Sequence, residues 1–187
     1  IAYLNGDDTA YRMGRLTLNP LAHLDPIGSI MILFIGFGYA KPVPVNPANL
    51  NNPRIDMIKV AAAGPISNFI LSFIGVLFFT LLMKFNLMQD NYRIFLTYFI
   101  IINTYLGLFN LIPIYPLDGG QIFGNIISKY NRNLFIQLNE YGPKILMGVI
   151  LFSVFTNIPI LSWFIQKPAD LIISLFTVII NSLLFFI

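Results

Sequence analysis

The chain has 187 residues, of which 57% are hydrophobic and only 10% charged, with a mean hydropathy of +0.76. Ordinary soluble domains carry about 25% charged residues, so this composition excludes one and predicts an all-α polytopic membrane protein built as a single domain. The net charge of +3 is small, and no basic patch is interleaved with aromatics, which argues against a nucleic-acid partner. The absence of cysteine excludes disulfides, thiolate metal sites and cysteine nucleophiles. With His23 as its one histidine, the sequence cannot build a two-histidine metal site. It starts at Ile1, shows no signal-peptide pattern, and is expected to be a piece lacking its true N-terminus.

In chain order, residues 1–26 are polar and turn-rich, with a short strand expected over Arg15–Leu18 before Asn19-Pro20. Ile27–Ala40 is apolar and holds Gly28, Gly36 and Gly38. It is shorter than the ~20 residues of a spanning helix, which predicts a re-entrant or interfacial element. The following Lys41-Pro42-Val43-Pro44-Val45-Asn46-Pro47 forbids a helix and a central strand, so it reads as an extended loop or edge segment. Ile58–Met83 predicts the first spanning helix, with small residues at Ala61-Ala62-Ala63-Gly64 that permit close helix approach. A second span covers Ile94–Ile112, a third Ile145–Leu161 with Trp163 as an interface anchor, and a last apolar helix starts at Ala169. Gln121–Glu140 reads as mixed and partly helical. About four transmembrane helices are therefore expected, plus a re-entrant or strand-like segment near residues 27–47.

Basic residues set the expected orientation. If Ile27–Ala40 dips in and returns on one side, that side holds Arg12, Arg15, Lys41, Arg54, Lys59, Lys129, Arg132 and Lys144. The other holds Lys84, Arg93 and Lys167, a division of eight against three among the eleven basic residues. A full crossing would give six against five. The positive-inside bias favours the re-entrant version and puts the loop around Asp118 on the cytoplasmic side.

That loop is the stretch the sequence turns on: Asn110-Leu-Ile-Pro-Ile-Tyr-Pro-Leu-Asp-Gly-Gly120 closes an apolar run. Pro113 and Pro116 disrupt the helical ladder, and irregular backbone at membrane depth survives only inside protein or around a water-filled cavity. A carboxylate there is a functional-site hypothesis, and one able to bind a cation such as zinc. The plainer reading makes Asp118 the cap of a helix starting near Gln121. Asn68 and Asn110 could orient that carboxylate or donate to a developing oxyanion, or could simply bond helix to helix. His23 is either a contact at the mouth of the site or a turn histidine bonded to local backbone, and Asp25 before Pro26 shapes a turn.

Four motifs in order join these residues: Asn19-Pro-Leu-Ala-His-Leu-Asp-Pro-Ile-Gly28, Ala40-Lys-Pro-Val-Pro-Val-Asn-Pro47, Ala63-Gly-Pro-Ile-Ser-Asn68, and Asn110 to Gly120. Together they resemble the site-2 protease family of intramembrane zinc metalloproteases, in its small bacterial-type form. The resemblance covers most of residues 6–121 and leaves 122–187 as accessory helices. It implies a zinc ion held by two histidines of a His-Glu-x-x-His helix and by the aspartate of a Leu-Asp-Gly motif, which Asp118 matches. It implies supporting roles near the metal for Asn110 and Asn68, and a place for the segment after Ile27 in receiving an unwound substrate. The implied chemistry is hydrolysis by a zinc-bound water whose pKa falls toward ~7, with the motif's glutamate as general base. The implied substrate is a transmembrane helix of another protein, and the implied location is a bacterial cell membrane.

This sequence contains no His-Glu-x-x-His, so two zinc ligands and the general base are missing from it, and inactivity of the chain as given is expected. A non-catalytic membrane scaffold that binds helices stays open as an alternative. So does a channel or transporter with broken helices around Asp118, although no two-half symmetry accompanies it. Substrate, activating signal and oligomeric state are not legible.

Overall fold

The computed structural model describes residues 1–35 and 40–185. Among them lie seven α-helices and no strand: α1 (Thr9–Arg12), α2 (Pro26–Ile35), α3 (Pro53–Lys84), α4 (Asp90–Asn110), α5 (Asp118–Ile127), α6 (Arg132–Thr156) and α7 (Ile160–Leu184). Three of them, α3, α4 and α7, are long and apolar enough to cross a membrane. The protein is all-α, of the polytopic membrane class. The chain divides into two compact units, Ile1–Val60 and Ala61–Ile187, with α3 running through the boundary.

The first unit is tied together by polar side chains. Asp7 is buried, and its carboxylate accepts from the Thr9 hydroxyl and N–H, from the Asn46 N–H at 2.8 Å and from the Asn49 amide at 3.1 Å. These bonds, the Thr9 hydroxyl first, hold its pKa at about 2 against the opposing effect of burial. Gly6 adopts φ 103°, and a Cβ there would lie 2.9 Å from the Asn49 carbonyl oxygen, so this crossing needs glycine. Asp25 accepts from the N–H groups of Ile27 and Gly28 at 2.9 Å, and Pro26 is the first residue of α2. This cap and a proline at the first helical position start a helix, so residues 26–35 are helical rather than strand-like. Gly36 and Gly38, the far end of the expected re-entrant segment, lie outside the described residues. The strand expected at Arg15–Leu18 is bent coil, because no described segment pairs with it. Residues 40–46 have no regular structure, as their prolines require.

α3 starts earlier than hydropathy suggests. Pro53 opens it, Asp56 accepts from the Asn52 N–H at 2.7 Å, and Lys59 pairs with Asp56 at 2.7 Å. It then continues through Pro65 to Lys84.

In the second unit the core joins α3, α4 and α7: Val76, Ile100, Ile180 and Leu184, packed on by Phe73, Leu77, Phe79 and Phe176. α5 lies on α6, and α6 on α7. Two boundaries differ from the sequence reading. The expected span Ile145–Leu161 is cut at Asn157, whose φ of 55° is left-handed, and at Pro159. The last helix starts at Ile160, not Ala169, and runs through Pro168. Proline inside a membrane helix is tolerated where neighbours and local adjustments satisfy the freed carbonyl.

Candidate functional site around Asp118

α4 ends at Asn110, and Leu111 caps it with its N–H on the Gly107 carbonyl at 3.2 Å. Residues 111–117 then fold into a tight turn, with the Ile114 N–H on Ile112 at 2.7 Å and the Leu117 N–H on Ile114 at 3.0 Å. Pro113 and Pro116 fall where no donor is asked for, and the Tyr115–Pro116 peptide is cis.

α5 begins at Asp118 itself. The expectation that Asp118 caps a helix starting near Gln121 is therefore replaced: Leu117 holds the capping position, and Asp118 stands in the first turn. A negative group there is favoured by the helix dipole. Gly119 and Gly120 permit the turn to fold back. A Cβ on Gly119 would overlap the Leu111 carbonyl and lie 2.5 Å from the Ile112 oxygen, and one on Gly120 would lie 2.5 Å from the Tyr115 nitrogen. Both obstacles are backbone, so neither can swing away.

The Asp118 carboxyl is half-buried and makes no hydrogen bond among the described residues. It reaches α3 at Gly64, where a Cβ would lie 2.9 Å from its Oδ2. Pro65, the next residue, is fully buried. The small-residue start of the Ala63-Gly64-Pro65 motif thus makes room for the carboxylate. Tyr115 braces the turn from the other side. Its backbone and Cβ lie within 3.0 Å of where Gly142 on α6 would carry a Cβ, and its ring meets Phe135 edge-on at 6.4 Å. α6 is therefore part of what holds the turn, a role no motif in the sequence announces.

The other candidates sit as follows. Asn110 is the last residue of α4 and Asn68 lies one turn after Gly64 on α3; both are half-buried and unbonded through their side chains among the described residues. Neither bonds helix to helix. That task falls to Ser72 and Thr104, both fully buried, whose hydroxyls meet at 2.7 Å between α3 and α4. A serine and a threonine in apolar helices carry no motif, so nothing in the sequence announces them. His23 belongs to the first unit, where its Nε2 bonds the Thr17 carbonyl at 2.9 Å.

Comparison with known proteins decides what the turn belongs to. The profile of Peptidase family M50 matches residues 82–155, which include the whole Asp118 turn. A Bacillus subtilis (strain 168) protein named "Putative zinc metalloprotease YwhC" is 38% identical over 189 residues, spanning 98% of this chain and 85% of that protein. The chain belongs to peptidase family M50. A Methanocaldococcus jannaschii protein named "Zinc metalloprotease MJ0392" is 32% identical over 104 residues, 54% of this chain and 29% of that protein. No solved structure matches the chain.

M50 membership, that of the site-2 proteases, implies zinc, and the donor set here tests it. An open, half-buried carboxylate with no competing partner is a suitable oxygen ligand. Among the described residues, however, no three His, Cys, Asp or Glu side chains gather, while a catalytic zinc takes three protein ligands. The described residues do not complete a zinc site by themselves; among them the Asp118 carboxyl is one suitable oxygen donor.

Proposed function

We propose that this chain carries the aspartate side of an intramembrane endopeptidase of the M50 type, whose substrate is a transmembrane helix of another protein. The observation that carries the reading is the Asp118 carboxyl, set free of hydrogen bonds against Gly64 by a turn that glycines and prolines alone permit. Its place in a chain 38% identical to a protein named as a zinc metalloprotease supports zinc as the cofactor. Asp118 contributes one oxygen donor to the metal. Asn110 and Asn68, with unspent amides, are the groups to donate to substrate carbonyls or to orient the carboxylate. A helical substrate protects its own peptide bonds, so it must unwind locally, and helix-breaking residues in it should help. The excess of basic residues on the turn's side supports a cytoplasmic position in a bacterial cell membrane. Lys167 lies toward the opposite end of α7 from Lys84, not on the Lys84 side expected from the sequence. The lack of a His-Glu-x-x-His match in this sequence keeps a second reading in view, a non-catalytic scaffold that binds helices.

The test uses the full-length protein in liposomes with a membrane-helix reporter. Wild type should cleave it, and Asp118→Asn should lose bound zinc and cleavage together. Cleavage retained by Asp118→Asn removes Asp118 from the site. A full-length protein that holds the reporter but never cleaves it favours the scaffold.

A further inference from the structure

A second carboxylate, away from the Asp118 turn, lies on a helix long and apolar enough to cross a membrane. Asp170 is on α7, and Lys84 of α3 donates to the Leu184 carbonyl at 2.6 Å near the other end of that helix. At about 1.5 Å per residue, Asp170 stands roughly 21 Å from that end, less than the thickness of a hydrocarbon core of about 30 Å. It opens into a groove of about 330 Å³ between α3, α4 and α7, with Ile100 and Ile101 among its walls. Three threonines complete it: Thr80, Thr97 and Thr177.

Apart from the Thr97 hydroxyl, which has no bond among the described residues, the groove's polar side chains present acceptors. Thr80 donates its hydroxyl to the Val76 carbonyl at 2.9 Å and Thr177 to the Ile173 carbonyl at 2.8 Å. Their lone pairs are what they leave to the groove. Asp170 is exposed and has no hydrogen bond or ion pair among the described residues. Lys167, one turn earlier on α7, makes no ion pair with it among those residues. An intramembrane carboxylate without a partner is costly and marks a pathway or a docking position. Acceptors in an apolar groove ask for a donor on an apolar stem.

We infer that this groove docks a transmembrane helix of another protein through a single lysine or arginine that pairs with Asp170. The carboxylate gives the register and the apolar walls take the stem, since long basic side chains pack their methylenes on apolar surface. The groove is separate from the turn that the protease reading concerns, so either can fail alone.

The experiment places the full-length protein, fluorescently labelled, in lipid nanodiscs with labelled polyleucine helices of about 20 residues. One peptide carries a single lysine at the depth of Asp170, and the control is leucine throughout. Energy transfer should report about tenfold tighter association of the lysine peptide. The preference should vanish in Asp170→Leu and survive in Asp170→Glu. Asp170→Asn, nearly isosteric, serves if the leucine variant fails to fold, and should cut the preference severalfold. Equal binding of both peptides, a preference that persists without the carboxylate, or Asp170-dependent pairing of the protein with itself instead would overturn the inference.

Discussion

Alanine at Gly119 is the sharpest structural perturbation of the Asp118 turn. Its Cβ would overlap the Leu111 carbonyl and stand 2.5 Å from the Ile112 oxygen, where carbon contacts normally lie near 3.5–4.0 Å. Overpacking of this kind costs about 1–3 kcal/mol, and the upper part of that range applies because the obstacles are backbone. Alanine's better helix propensity returns up to about 1 kcal/mol, leaving a net loss of about 2 kcal/mol. For a chain of this size that lowers Tm by about 4–8 °C. Gly148 on α6 is the internal control: a Cβ there meets nothing within 4 Å, so Gly148→Ala should raise stability by a few tenths to about 1 kcal/mol. Thermal unfolding in one detergent, followed by circular dichroism, compares the two. If Gly119→Ala melts with or above wild type, the turn does not fold against α5 as described.

Three further outcomes follow from the same geometry. Thr104→Val removes one hydroxyl of the buried Ser72–Thr104 pair and should cost about 0.5–1.5 kcal/mol, read by the same melts. Asp7 is held at about 2 against an ordinary 3.8. Because its folded pKa is depressed, its contribution is complete above about pH 4 and fades as pH falls toward 2. Hydrogen exchange at the Asn46 amide, which Asp7 accepts, should accelerate relative to neighbouring amides over that window, and Asp7→Asn should show fast exchange at every pH. Asn110→Ala in the full-length protein should lower kcat for a membrane-helix reporter by about 100-fold if its amide donates to the reacting carbonyl, with the melting temperature unchanged. An unaltered kcat would leave Asn110 as a helix end and nothing more.

The residues of the turn were legible in the sequence because they are expensive there: Pro113, Pro116 and the Gly119-Gly120 pair have few uses in an apolar chain other than a forced turn. α3 and α4 were legible from hydropathy. Proline was the less faithful guide. It marks true breaks at Pro113 and Pro159, yet Pro65, Pro143 and Pro168 sit inside helices. In a membrane protein a neighbouring helix can take over the satisfaction of the freed carbonyl, and no local pattern says when it will. The bracing of Tyr115 by Gly142, the Ser72–Thr104 pair and the groove at Asp170 each depend on which helices are neighbours. Residues 27–40 looked too short to span, and a helix of ten residues, Pro26–Ile35, occupies their start.

The account rests most on Asp118 as a metal ligand, and anomalous diffraction at the zinc edge from crystals of the full-length protein examines that directly. A peak about 2.0–2.2 Å from an Asp118 carboxyl oxygen, absent in Asp118→Asn, is the predicted result. A zinc peak bound elsewhere, with Asp118 turned away from it, would contradict the account.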